Sequence, residues 1–358
     1  VNRILPLFIF HLFLISCSKI DIMSPTIEIE KTEFIDAVDL SSLPEVLVAN
    51  PTFYDLEGDE NDVLSILKNS GVNTVRLKLW VNPDNEHAGW DEVKQFSKTL
   101  KAKGFKTWLA IHYSDTWADP AHQQIPKQWL GASYPALKDS VYSYTEKIMT
   151  ELQPDYVQIG NEINTGFLHP HGHLSNQFQQ FAELMGTAIA AVRADAADTQ
   201  IIIHYAGPEG SQWFYDQVRI LDYDIIGLSY YPIWHVKSLD HLKNTMQALS
   251  EAHDKSIVIA ETAYPFTLAW NDWTNNIVGL EAQLILPDFP ATPQGQSDFV
   301  GQIKTLTKDL DDGIGFCYWG GELIAWKGPS STDASPWENQ AIFDFDNRAL
   351  PVLEVFDK

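Results

Sequence analysis

From position 34 onward, short runs of β-branched and aromatic residues alternate with longer stretches whose apolar positions recur every three or four residues. The short runs at 34–39, 74–80, 106–113, 156–162, 200–205, 225–231, 256–261 and 314–319 predict strands. Between them, 61–70, 90–103, 137–152, 177–197, 212–221, 239–252 and 297–310 predict amphipathic helices. Gly71 and Gly104 follow the first two helices, where a residue able to turn left-handed ends a helix. Strands alternating with helices imply an α/β fold with a parallel sheet covered by helices. Eight such units favour one closed (β/α)8 TIM barrel over an open doubly wound sheet. No Gly-x-Gly-x-x-Gly opens a helix after a strand, and no phosphate-binding P-loop appears. A barrel needs about 250 residues and tolerates insertions, so 358 residues hold one over 33–358.

The polar residues fall at the strand ends. Each run stays apolar until its last position or two, then becomes chemically functional: Asp39, Arg76 with Lys78 and Trp80, His112, Asn161 with Glu162, His204, Tyr230 with Tyr231, Glu261, and Trp319. Active sites of such barrels are built at the carboxyl ends of the strands. The pattern therefore predicts one pocket with two acids, an arginine, histidines, an amide and aromatic rings.

Composition narrows the ligand. The net charge is −24, which repels phosphate backbones and argues against nucleic acid. A neutral polymer is compatible with it. The 12 Trp, 13 Tyr and 18 Phe supply core, but aromatic faces also stack on sugar rings. The first residues read as an export signal: Asn2-Arg3, then an apolar run at 4–15 too short to span a membrane, ending in Leu14-Ile15-Ser16-Cys17. That ending resembles a bacterial lipobox, with Cys17 lipidated after cleavage. It predicts a signal peptide at 1–17, a tether at 18–32, and an exported lipoprotein on the outer membrane, surface or periplasmic side. Apart from Cys17 the only cysteine is Cys317, in an apolar run, so a buried inert thiol is expected and no disulfide. Any membrane contact would run through the lipid, and a monomer is expected.

Two carboxylates facing each other across a cleft are the minimal equipment for cleaving a glycosidic bond. Glu162 and Glu261, ending strands four and seven, would lie on opposite sides of the barrel mouth. Asn161 can hold a sugar 2-hydroxyl. Tyr231, by a hydrogen bond, and Arg76, by charge, can keep a nucleophilic carboxylate ionised. Either glutamate alone could instead be a structural ion pair or a helix cap.

At this point the chain resembles a known family. Asn161-Glu162 on strand four and Glu261 on strand seven match clan A of the glycoside hydrolases. Gly-Val-Asn-Thr-Val-Arg-Leu-Lys-Leu-Trp-Val-Asn-Pro at 71–83 and His-Tyr-Ser-Asp-Thr-Trp-Ala-Asp-Pro at 112–120 resemble glycoside hydrolase family 53, the endo-β-1,4-galactanases. So do Gly-Asn-Glu-Ile-Asn-Thr-Gly at 160–166, Leu-Ser-Tyr-Tyr-Pro at 228–232 and Glu-Thr-Ala-Tyr-Pro at 261–265. The resemblance implies Glu162 as acid/base and Glu261 as nucleophile of a retaining double displacement. It implies Arg76, His112, Asn161, Tyr231 and Trp319 around the −1 sugar and Asp115 and Trp117 in the groove; Asp39 joins the expected substrate-binding residues from its strand-end position alone. The substrate implied is β-1,4-galactan, the side chains of pectin. Another β-1,4-linked glycan (mannan, xylan or glucan) or a non-catalytic glycan-binding surface protein are the alternatives.

Two rim segments depart from the family pattern. His169-Pro170-His171-Gly172-His173 stands where the family usually has a tryptophan before the proline, and Trp319-Gly320-Gly321-Glu322 where Trp-Glu-Pro is common. Altered distal subsites are expected from both. The three histidines have no carboxylate or cysteine beside them, which disfavours a metal. No redox or nucleotide cofactor is implied. Some family members hold a structural calcium between the loops after strands seven and eight; Asp272, Asn276 and Asp333 are the candidate ligands here, with an ordinary polar loop as the alternative.

Overall fold

The computed structural model describes residues 1–2, 33–196 and 198–357. Its strands are β1 (Ile35–Asp39), β2 (Thr74–Leu79), β3 (Lys106–Ile111), β4 (Tyr156–Ile159), β5 (Gln200–Ala206), β6 (Ile225–Ser229), β7 (Ser256–Thr262) and β8 (Gly313–Tyr318). They pair in parallel in sequence order, and β8 closes on β1 through Ile35 opposite Gly315 and Val38 opposite Tyr318. The helices are α1 (Leu43–Leu47), α2 (Val63–Asn69), α3 (Trp90–Ala102), α4 (Tyr134–Glu151), α5 (Phe178–Asp195), α6 (Ser211–Val218), α7 (Leu239–His253) and α8 (Pro293–Lys308). The seven predicted helices are α2 to α8. Helix α1 is too short to show a 3.6-residue period, and no helix was expected there. The compact unit that holds the barrel begins at Glu33. Apart from residues 1 and 2, the expected signal peptide and tether lie outside the described residues.

Local chemistry sets the helix starts. Ser133, Thr292 and Ser238 cap α4, α8 and α7 by accepting the N–H of Ala136, Gly295 and His241, and Pro135 and Pro293 stand in the first turns. Gly71 ends α2 at φ +93°, where a Cβ would lie 2.7 Å from the Phe356 carbonyl oxygen. Only glycine fits that crossing.

The strands bury both faces, and their period of two sorts side chains into two cores. One set, including Val75, Leu77, Leu109, Val157 and Ile159, packs outward on Leu100, Val141, Ile148 and Leu184 of the helices. The other fills the barrel: Ile35, Ala37, Trp108, Tyr156, Ile202, Ile225, Val258 and Cys317. Cys317 is the buried thiol expected, and burial pushes it up. In the same inward phase, one step toward the carboxyl end, come Asp39, Arg76, Gln158 and His204, with Ser229 four residues beyond Ile225. All five are buried. The barrel thus has an apolar floor beneath a layer of polar side chains.

Candidate active site

Above that polar layer lies a cleft of about 640 Å³, lined among others by Lys78, Trp117, Asn161, Glu162, Tyr231, Glu261 and Trp319. A larger groove of about 1080 Å³ runs along Leu43, Phe53, Val63 and Phe96 on the flank. Two of its carboxylates are already engaged: Asp62 caps α2, and Glu92 holds His87 and the Ala88 N–H. The chemistry gathers in the smaller cleft.

Glu261 sits on β7 itself, because the strand continues to Thr262. Its carboxylate is buried and held on both oxygens. Arg76 Nη2 lies 2.7 Å from Oε1, and the Tyr231 hydroxyl donates to Oε2 at 3.0 Å. Burial lifts its pKa above the usual carboxylate value, while Arg76 and the Tyr231 hydrogen bond pull it back. Arg76 is fixed in turn by Asp39 at 2.6 Å, by Gln158 Oε1 at 3.2 Å, and by Asn161 Oδ1 at 2.8 Å.

Glu162 is placed differently. β4 ends at Ile159, and the chain turns through Gly160 (φ +77°) and Glu162 (φ +46°). A Cβ at Gly160 would stand 2.5 Å from Ile163 Cγ2, so glycine is required. The Gln123 side chain donates to the Asn161 carbonyl at 2.8 Å and Asn161 Nδ2 to the Ala118 carbonyl at 2.8 Å, tying this turn to the loop after β3. Glu162 Oε1 accepts the Ser229 hydroxyl at 2.6 Å. Burial, and then the negative charge of Glu261, push Glu162 up to about 8. With one hydroxyl partner against a guanidinium and a phenol, Glu162 is the last of the pair to ionise.

The other expected residues divide into three groups. Asn161, Tyr231, Trp117 and Trp319 line the cleft. His112 is buried beside it; its Nδ1 accepts from Trp80 Nε1 at 3.2 Å and Ala118 N at 3.1 Å, and burial followed by Arg76 and Lys78 holds it neutral. Two do not face the cleft. Asp39 spends its oxygens on Arg76 and the Ser41 N–H. Asp115 accepts the N–H of Asn82 and of Lys127, bracing two loops. Neither carboxylate lines the cleft, so both brace the chain around it. Tyr230 also turns away, stacking on Phe299 in the outer layer.

Sequence reasoning missed Gln158 and Ser229, which link the polar layer, and Trp234 and Trp337 on the rim. The signal for the first two was the phase of the alternation: each stands inward within an apolar run. The indoles form an unbroken series, Trp80 to Trp117 (5.6 Å), Trp319 (5.7 Å), Trp337 (4.6 Å) and Trp234 (6.1 Å). Lys78 Nζ lies 4.2 Å from the Trp117 ring.

Residues 35–356 match the model of glycosyl hydrolase family 53. The chain belongs to this family. It is 35% identical over 352 residues to an arabinogalactan endo-β-1,4-galactanase of Cellvibrio japonicus, covering 91% of each chain. The catalytic domain of a family 53 protein of Ignisphaera aggregans superposes with a TM-score of 0.84 at 37% identity, over 90% of this chain and 95% of that one. A fungal β-1,4-galactanase gives a TM-score of 0.78 at 28% identity, over 91% and 99%.

Within this family 53 barrel the two divergent rim segments differ in placement, with Trp319 of the second in the cleft lining. His169 bonds the Thr165 carbonyl and stacks on His173 at 4.7 Å, and His171 bonds Gln180; none of the three lines the cleft. Glu322 is buried and accepts the Ser42 N–H at 2.7 Å. The calcium candidates separate. Asp272 Oδ2 and Asn276 Oδ1 are buried without a hydrogen-bond partner, and so is Oε2 of Glu338, whose Oε1 accepts the Asn271 N–H at 2.7 Å. Asp333 points away: its side chain is 80% exposed and pairs with Lys327.

Proposed function

We propose that this family 53 chain is a retaining endo-β-1,4-galactanase acting on the galactan side chains of pectin. The observation that carries the reading is the unequal pair in one cleft, Glu261 clamped by Arg76 and Tyr231 and Glu162 holding a proton opposite it. The names of its full-length relatives support the substrate.

In the first step Glu261 attacks the anomeric carbon as Glu162 protonates the departing glycosidic oxygen. The C–O bond to the leaving chain breaks and a galactosyl–Glu261 ester forms. In the second step Glu162, now a carboxylate, takes a proton from water, the water oxygen attacks the same carbon, and Glu261 is released. Asn161 Nδ2 donates to the Ala118 carbonyl and keeps a second N–H for the sugar 2-hydroxyl. The indole series gives a polymer several stacking faces, which supports cleavage within the chain.

The mechanism is tested by following the first-formed reducing end by NMR. Retention predicts the β anomer first, with mutarotation later. An α anomer first would replace double displacement by inversion. A hard cation between the loops after β7 and β8 would be held by Asp272, Asn276 and Glu338, whose unpartnered oxygens fit such an ion, and Asp333 is withdrawn from the set. Its contribution would be to tie those loops together. The Cys17 lipid anchor stands as a proposal on residues 14–17 alone; mass spectrometry of the exported protein's amino terminus tests it.

A further inference from the structure

Beneath Glu162 runs a file of polar groups whose direction is set by a donor that cannot reverse. Arg76 has only donors. Its Nε and Nη2 both point at Gln158 Oε1, at 3.2 Å, which turns the Gln158 amide nitrogen toward His204 Nδ1, 3.0 Å away. A second donor reaches the same atom, the backbone N–H of Glu162 at 3.4 Å. A backbone N–H cannot rotate, so Nδ1 is the acceptor and the imidazole proton is on Nε2. The reverse tautomer would aim Nδ1–H at Asn161 Oδ1, 3.2 Å away and already taken by Arg76 and Gln158. It would also leave the Glu162 N–H facing another hydrogen. His204 is fully buried, and burial followed by Arg76 and His112 keeps it neutral. Nε2–H then donates to Ser229 Oγ at 2.8 Å, so the Ser229 hydroxyl has its own hydrogen free for Glu162 Oε1 at 2.6 Å. Among the described residues, no hydrogen bond reaches Oε2.

We propose that His204 and Ser229 are positioning residues forming a one-way donor chain that reserves Oε2 of Glu162 for the transferred proton. The inference rests on Glu162 being the acid/base. Its physical content is simple: an oxygen already accepting a hydroxyl proton is a poor place for the carboxyl's own. The acid is thereby presented on the oxygen that no protein group holds. When Glu162 later acts as base, the same hydroxyl stabilises the carboxylate it becomes.

The experiment compares wild type, Ser229→Ala, Ser229→Thr and Glu162→Ala on galactan and on a 2,4-dinitrophenyl β-galactobioside, whose leaving group needs no proton. For Ser229→Ala, kcat/KM on galactan should fall about 10- to 100-fold, the range for a hydrogen bond to a charged group. On the aryl substrate it should change little. Its alkaline limb should move upward, because the lost donor favoured the carboxylate. Ser229→Thr keeps the hydroxyl and should restore the limb. Ring ¹⁵N shifts in histidine-labelled enzyme, assigned with His204→Gln, should show His204 as the Nε2–H tautomer. An Nδ1–H tautomer, an unmoved alkaline limb, or equal loss on both substrates overturns the proposal. If Glu162→Ala itself shows no leaving-group dependence, the acid/base reading falls, and this inference falls with it.

Discussion

Glu162 and Glu261 are the same residue type at the mouths of two strands of one barrel, and their surroundings give them different partners and different proton affinities. Glu261 stays within β7, where strand geometry aims it at Arg76 from β2 and Tyr231 beyond β6. Glu162 lies three residues past β4 on a left-handed turn, with the Ser229 hydroxyl as its partner. A full guanidinium charge offsets the cost of burying the first carboxylate; a neutral hydroxyl does not offset it for the second. The lesson is that donor identity, more than burial, separates the two carboxylates, since burial raises both; the proposed acid and nucleophile roles rest on that difference.

The largest expected effect comes from removing the clamped partner. Glu261→Ala should lower galactan turnover by about 10⁴-fold or more, by analogy with other deleted nucleophiles, and azide should rescue it with an α-galactosyl azide. Near-normal turnover would end the comparison at once. Glu162→Ala should cost about 10²- to 10⁴-fold on galactan, with azide giving the β product. Arg76→Met attacks the clamp itself. It strands Asp39 and Glu261 as buried carboxylates, and urea unfolding should show a loss of about 3–5 kcal/mol. A smaller loss would mean that the guanidinium is not what sustains the buried charges.

The mildest test is pH. The acid limb of kcat/KM should follow Glu261 and the alkaline limb Glu162, near pH 8. Tyr231→Phe removes a donor to Glu261, so its acid limb should move upward while the alkaline limb stays. For stability the sign is set by Glu162. Its folded pKa of about 8 exceeds the ordinary 4.5, so between those values the folded chain holds a proton that the unfolded chain releases. Its contribution therefore shrinks as pH rises through that window. Glu162→Gln should gain on wild type from pH 5 to pH 9, by about 1–2 kcal/mol, given that the cleft side of Glu162 is screened by water. A constant difference across pH would show that the proton on Glu162 is not part of the folding balance.

Much of this was legible in the chain because strand and helix periods are local properties. The eight strands, seven of the helices and the two glutamates follow from residues near one another in sequence, and the motif runs carried the family. Strand ends were read one or two residues too long at Trp80, Tyr113, Tyr231 and Trp319, and three too long at Glu162. After β3 the turning residue is Tyr113, which no apolar run marks as a turn; after β4 the turn starts at Gly160, and a single glycine inside a run does not say whether the strand stops there. Asp115, expected in the groove, and Asp39, expected among the substrate-binding strand ends, stand off the cleft lining for a related reason. Sequence shows a carboxylate near a pocket but not which N–H or guanidinium has already taken its oxygens.

What the sequence determined by itself is the alternation that builds a closed barrel and the strands on which the two acids fall. Only the tertiary structure decided which groups stand one inward step below them. Gln158, His204 and Ser229 come from three different strands, and their hydrogen bonds exist only once closure and register bring β4, β5 and β6 side by side. Likewise Glu338 joins Asp272 and Asn276 from a loop more than 60 positions away, and no spacing along the chain announces it. Periodicity is written in neighbours. Hydrogen-bond files and side-chain clusters depend on distances that folding alone makes short.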